Sequence, residues 1–226
     1  GSCTYPDNGD YSLSFDGVEA LVEHSSLNTS TSLDASKTNL LTFSAWVNPS
    51  EVLGVWQGYN APLFSRGSQY NIYLSENRLY FHTSGDAFEQ GVGNISNSAL
   101  SINEWGHLCM TYDGTAVRFY INGTLDFEHT VTATFGTSLN NNFYMGGEKF
   151  KGLLDEVAVW NSALSANAVA AIYNSGSGLD ASSNSGDYTS AFNLKGYWRF
   201  NVNTGTSVDD LSGNSNNGTI HGGLWE

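Results

Sequence analysis

The stretch Glu104-Trp105-Gly106-His107-Leu108-Cys109-Met110-Thr111-Tyr112-Asp113-Gly114, continued by Val117-Arg118-Phe119-Tyr120-Ile121-Asn122-Gly123, decides the fold. Two apolar and aromatic runs are divided by Asp-Gly and closed by Asn-Gly. Asn-Gly is a strong signal for a two-residue type I′ hairpin turn, because both central positions need positive φ. The pattern predicts strands over residues 107–112 and 117–121. Outward from this hairpin, Tyr11-Ser12-Leu13-Ser14-Phe15 alternates so that Tyr11, Leu13 and Phe15 share one face. Further strands are expected over 43–47, 70–74, 78–83, 143–145 and 155–160, with Ser75-Glu76-Asn77 as a turn. Short strands at regular spacing with turn signals between them indicate an all-β, two-sheet antiparallel sandwich.

One helix stands out. Ser165 is placed to cap it, and residues 166–173 carry Val169, Ile172 and Tyr173 at helical spacing. Residues 175–193 are rich in Ser, Gly and Asn and read as a long connection. Gly196-Tyr197-Trp198-Arg199-Phe200 and Gly218-Thr219-Ile220-His221 then resume strand character. Strands this few do not fold alone. Residues 194–226 are therefore expected to complete the same sandwich, making 1–226 one domain.

Composition bounds the function. With 226 residues the chain can bury a core without disulfide staples. Eight Lys plus Arg against 22 Asp plus Glu give a net charge of −14, although only 13% of residues are charged. Nucleic-acid binding needs a basic stripe, so that class is excluded. No apolar run reaches about 18 residues, so no membrane insertion is expected. The surface is mostly Ser, Thr, Asn and Gly, which suits a secreted or cell-surface β-protein that meets sugars. No signal-peptide pattern opens the chain, as expected of a domain from a longer protein. Cys3 and Cys109 are the only cysteines. Either they pair, or Cys109 is a small buried residue in its strand.

Several motifs then coincide. Leu13-Ser14-Phe15-Asp16-Gly17-Val18, Phe43-Ser44-Ala45-Trp46-Val47, the stretch quoted above, and Gly152-Leu153-Leu154-Asp155-Glu156-Val157 with Trp160-Asn161 and Ala163-Leu164-Ser165 occur in order. Together they resemble laminin-G-like, concanavalin A-like jelly rolls over about residues 10–173. Gly196 to Phe200 and Asp210-Leu211-Ser212-Gly213-Asn214 also resemble the family, in elements that in many relatives precede the "FDG" strand. Either the order is circularly permuted, or the segment opens a following repeat. The resemblance implies a jelly roll, usually extracellular, that binds or adheres more often than it catalyses.

Two constellations are candidates for chemistry. In the loop 210–218, oxygen-bearing Asp210, Ser212, Asn214 and Asn216 alternate, a pattern that can wrap the six to eight hard oxygens of calcium. The resemblance adds Asp16 and Asp155, at positions where relatives often hold a structural calcium. The bland reading is that these aspartates shape turns. The second constellation is a glycan surface. Trp56 and Tyr59 offer flat faces in a glycine-flanked loop, and Asn60 a hydroxyl contact. Phe88, Asn142, Tyr144 and Glu148 lie in other loops, and Tyr80 and His82 on a strand. Paired carboxylates at hydrolase spacing are not evident, nor is a Ser-His-Asp order. The reading is a calcium-stabilised, non-catalytic, carbohydrate-binding module with a glycan partner and neighbouring domains in a larger protein. The alternatives are an adhesion or spacer module within a repeat array and, less favoured, a glycan lyase or hydrolase.

Overall fold

The computed structural model describes residues 11–24, 32–53, 61–67, 69–83, 94–132, 134–136 and 142–226. The strands are β1 (Leu13–Asp16), β2 (Leu21–His24), β3 (Leu41–Pro49), β4 (Ala61–Arg66), β5 (Tyr70–Ser75), β6 (Arg78–Thr83), β7 (Ile95–Ala99) and β8 (Gly106–Tyr112). They continue as β9 (Ala116–Ile121), β10 (Thr124–Thr130), β11 (Phe143–Gly146), β12 (Lys151–Trp160), β13 (Leu194–Trp198), β14 (Ser207–Val208), β15 (Gly218–His221) and β16 (Leu224–Trp225), with one helix α1 (Ala166–Tyr173).

Two antiparallel sheets form the sandwich. The first runs β10-β9-β8-β3-β12-β1-β16, with β13 also on β12; the second runs β14-β15-β2-β11-β4-β5-β6-β7. The Asn122-Gly123 turn has φ of 50° and 73°, the two positive values its sequence demands. Gly123 has a second reason to lack a side chain, since a Cβ there would lie 2.7 Å from the Tyr173 ring. β12 meets β3 along one edge and splits the other between β1, opposite 151–154, and β13, opposite 157–160. At the junction Glu156 takes φ 50° in a bulge, so Asp155 and Glu156 do not simply alternate. The terminal strands pair with the body: β13 with β12, β15 with β2, and β16 with β1.

Period-2 alternation explains the layers. On β8, Leu108, Met110 and Tyr112 face the second sheet, while Cys109 faces the opposite way. On β12, Val157 and Val159 join the central core, and Ala158 and Trp160 join a second cluster. That cluster is closed by α1, through Val169 and Ile172, and by Ala181 and Tyr188 of the following segment. The first sheet is thus covered on both faces. Ser165 caps α1, accepting from Ala168 N at 3.2 Å, and Asn174 ends it at φ 49°. Cys109 is a free, buried thiol whose pKa burial pushes up. The pairing alternative therefore gives way to the small-core-residue reading, while Cys3 lies outside the described residues. Trp46, Trp160 and Trp198 are fully buried, whereas Trp105 is only half-buried and lines a cleft with Glu104 and Asn122.

Candidate ligand-binding face

The outer face of the second sheet carries the candidate site. Its register sets two rows across the strands. One row runs Thr219, Glu23, Tyr144, Ser65, Asn71, His82. The other includes Pro62, Tyr73, Tyr80 and Ile95. Their neighbours Val22, Phe64, Ile72, Phe81, Phe143 and Met145 point inward and are fully buried. A strand that buries alternate residues must present the others outward.

Within this face lies an open cleft of about 310 Å³, floored by Leu21, Pro62, Ser65, Tyr73 and Tyr144 and edged by residues 146–149. The edge is a tight turn. Gly146, Gly147 and Lys149 all take positive φ, and Gly147 N donates to Ala20 O while Lys149 N donates to Gly17 O. A Cβ on Gly146 would lie 2.1 Å from the Phe15 ring, so the turn can sit this low only with glycine there. Phe150 anchors its end in the core, edge-on to Phe15 at 5.3 Å. Tyr73 leans on Tyr80 with ring centroids 6.2 Å apart. Burial, with Tyr80 beside it, raises the Tyr73 phenol pKa, so Tyr73 stays a neutral donor. Ser65 Oγ donates to Asn71 Oδ1 at 2.5 Å, leaving its lone pairs to face the cleft as acceptors.

The expected ligand residues divide. Tyr144 and Glu148 line the cleft together. Tyr80 and His82 share its face on β6, but Tyr80 is only 8% exposed and neither lines the cleft. Asn142 directly precedes β11. Trp56, Tyr59, Asn60 and Phe88 lie outside the described residues. Sequence reasoning missed Tyr73, Ser65 and Pro62. The signal for Tyr73 was available: it alternates with Ile72 and Leu74 in a strand that was expected.

The residues proposed for calcium are dispersed and already engaged. Asp210 Oδ1 accepts from Tyr197 N and Ser212 N, and Oδ2 from Asn216 N, each at 2.9 Å. Asn216 donates to Lys195 O at 2.8 Å, and Asn214 to Ser212 Oγ at 2.9 Å. Asp16 Oδ1 accepts from Ala20, Val18 and Glu19 N–H groups, which hold its carboxyl below the usual range. Asp155 is buried, with Oδ1 accepting from Glu156 N, and sits four residues along β12 from the partner of Asp16, about 13 Å away. Asp16 and Asp155 thus lie apart, and the backbone N–H groups on Asp16 Oδ1 and on both Asp210 oxygens shape turns. Among the described residues, no cluster of three His, Cys, Asp or Glu could hold a metal. The alternating oxygens of 210–216 instead tie the loop to β13. Asp210→Ala removes one buried carboxylate and strands three N–H groups. It is expected to cost about 3 kcal/mol, read as a shift in the urea midpoint.

A polar cluster beneath α1 has the look of chemistry without the access. Ser44 Oγ lies 2.7 Å from His107 Nε2, and Glu156 is bonded to the Tyr197 hydroxyl and, at 2.9 Å, to Arg199 Nε. Ser44 and His107 are at most 2% exposed, and the void beside them holds about 10 Å³, room for one water.

Comparisons agree with this architecture. A family model described as the concanavalin A-like lectin/glucanases superfamily matches residues 7–170. A search of curated proteins finds no match. A Bacteroides ovatus protein provisionally described as carbohydrate-binding superposes with TM-score 0.68 at 18% identity; the match covers 96% of this chain and 60% of that one. Domain 4 of an extracellular GH43 arabinanase from Geobacillus stearothermophilus, solved with arabinotriose, gives TM-score 0.50 at 21% identity over 75% of this chain and 85% of that one. The binding domain of botulinum neurotoxin DC gives 0.50 at 13% identity over 74% and 47%. At such identities the likeness is one of fold.

Proposed function

The chain belongs to the concanavalin A-like lectin/glucanase superfamily, and on that premise we propose that it is a non-catalytic carbohydrate-binding module of a larger extracellular protein. The observation that carries this reading is the open cleft with Tyr73 and Tyr144 on its floor. Aromatic faces beside hydroxyl and carboxylate groups suit the apolar faces and hydroxyl edges of sugar rings. The arabinanase domain solved with arabinotriose supports the same reading. Glycoside hydrolysis uses a pair of carboxyl groups. Among the described residues lining the cleft, Glu148 is the one carboxylate.

A glycan array probed with wild type, Tyr73→Ala and Tyr144→Ala tests it. Each substitution should weaken binding roughly tenfold to a hundredfold, or about 1.4–2.8 kcal/mol, with an unchanged far-ultraviolet spectrum. Binding equal to wild type in both variants places the ligand elsewhere.

A further inference from the structure

The charge and hydrogen-bond polarity of the cleft restrict its ligand further. Resting on the binding role above, we infer that the Tyr73–Tyr144 cleft selects neutral, hydroxyl-rich glycans over those bearing uronate, sulfate or sialate groups. Three observations lead there.

The first is acceptor polarity. Ser65 has given its hydroxyl hydrogen to Asn71 Oδ1, so it offers the cleft only lone pairs. Glu148 is exposed, makes no hydrogen bond or ion pair among the described residues, and as a carboxylate only accepts. Both demand a ligand that donates. Sugar hydroxyls donate to such acceptors, whereas a carboxylate or sulfate group placed against them carries no hydrogen to give.

The second is local charge. Lys149 is the one cation lining the cleft among the described residues, and Glu148 beside it cancels its charge. On the neighbouring strand Glu23 adds another carboxylate, 3.6 Å from His221. Anion recognition by bidentate guanidinium needs an arginine, and among the described residues none lines this cleft.

The third is the long-range field. At −14 the whole molecule repels an approaching polyanion, most strongly at low salt. Selectivity here is partly repulsive: acceptors and net charge reject the wrong ligand while the tyrosines hold the right one.

The experiment is isothermal titration of the wild type with size-matched oligosaccharides. The neutral arm uses arabinan, xylan and β-glucan fragments. The anionic arm uses polygalacturonate fragments, sulfated counterparts of the neutral set, and sialylated oligosaccharides. At least one neutral fragment should bind, and each anionic counterpart should bind at least tenfold more weakly. The neutral affinity should change less than twofold between about 20 and 300 mM salt. Glu148→Lys should narrow the gap by strengthening the anionic arm, whereas Ser65→Ala should weaken the neutral arm. Anionic fragments binding as well as neutral ones overturn the selectivity and leave the binding role standing. Absence of binding in both arms overturns the binding role and the selectivity with it.

Discussion

Replacing Trp198 by alanine is expected to remove about 4 kcal/mol of stability, near the top of the range for a buried aromatic. Trp198 belongs to β13, in the segment 194–226 that follows the long connection. Its ring is fully buried, 4.8 Å from Phe143 and 5.9 Å from Phe64 by ring centroids. Those partners lie on β11 and β4 of the opposite sheet. Nε1 donates to Asn216 O at 2.9 Å, so one side chain fastens both the core and the Asp210 loop. Alanine would leave a cavity among aromatic rings that cannot collapse into it, and would strand a buried carbonyl. A domain of this size has roughly 5–15 kcal/mol in total. The expected fall in melting temperature is about 10 °C. Trp198→Phe should recover more than half of the loss, because it refills most of the volume without restoring the N–H donor. Urea midpoints at constant slope measure the effect. A cost below about 1 kcal/mol for Trp198→Ala would mean that the tail does not share the core of the body.

That dependence was legible in advance, and the reasons are local. Trp198 stands in a five-residue strand motif between polar segments, and an indole there has to be buried. The hairpin at 122–123 was readable for a stricter reason: positive φ at two successive positions leaves few residue choices. The cap at Ser165 was readable by the same kind of backbone demand. What escaped the sequence depends on relations between distant segments. Residues 175–193 look like a solvated connection, yet Tyr188 and Ala181 close the outer cluster, and Trp160 Nε1 donates to Tyr188 Oη at 2.9 Å. Tyr188 and Ala181, with Leu179 and Ala191 packed beside them, suffice to dock a segment whose average composition is polar. The alternating oxygens of 210–216 fit either a cation or a ring of backbone donors. The N–H groups from Tyr197, Ser212 and Asn216 that meet Asp210 come partly from a distant strand, a relation the spacing alone does not show. The cleft was half legible. Tyr144 and Glu148 were singled out, but Tyr73 and Ser65 reach it through the pairing of β11, β4 and β5, which one strand alone does not encode.

Acid should destabilise the protein through a single imidazole well above the carboxylate range. His107 is fully buried on β8, with Trp46 and Tyr173 rings at 5.4 and 5.8 Å. Nε2 is paired with Ser44 Oγ at 2.7 Å, while Nδ1 is buried with no hydrogen-bond partner. Burial lowers its pKa from 6.5 to about 3. Glu156, which lines the same small void, is committed to Tyr197 and Arg199 and so is not free to stabilise an imidazolium. The unfolded chain takes up a proton near pH 6.5 that the folded chain refuses until about pH 3. The contribution of neutral His107 is therefore complete above pH 6.5 and is lost as pH falls through that window. One pKa unit is worth about 1.4 kcal/mol, so roughly 3 kcal/mol should be gone by about pH 4. His107→Gln keeps a polar partner for Ser44 and cannot titrate. Urea unfolding of both proteins at about pH 7, 5.5 and 4.5 isolates the effect, because carboxylate titration is common to the two. Wild type should lose more stability than His107→Gln over that interval, by the equivalent of up to one proton in slope. Parallel curves for the two proteins would show that the buried ring accepts its proton without cost to the fold.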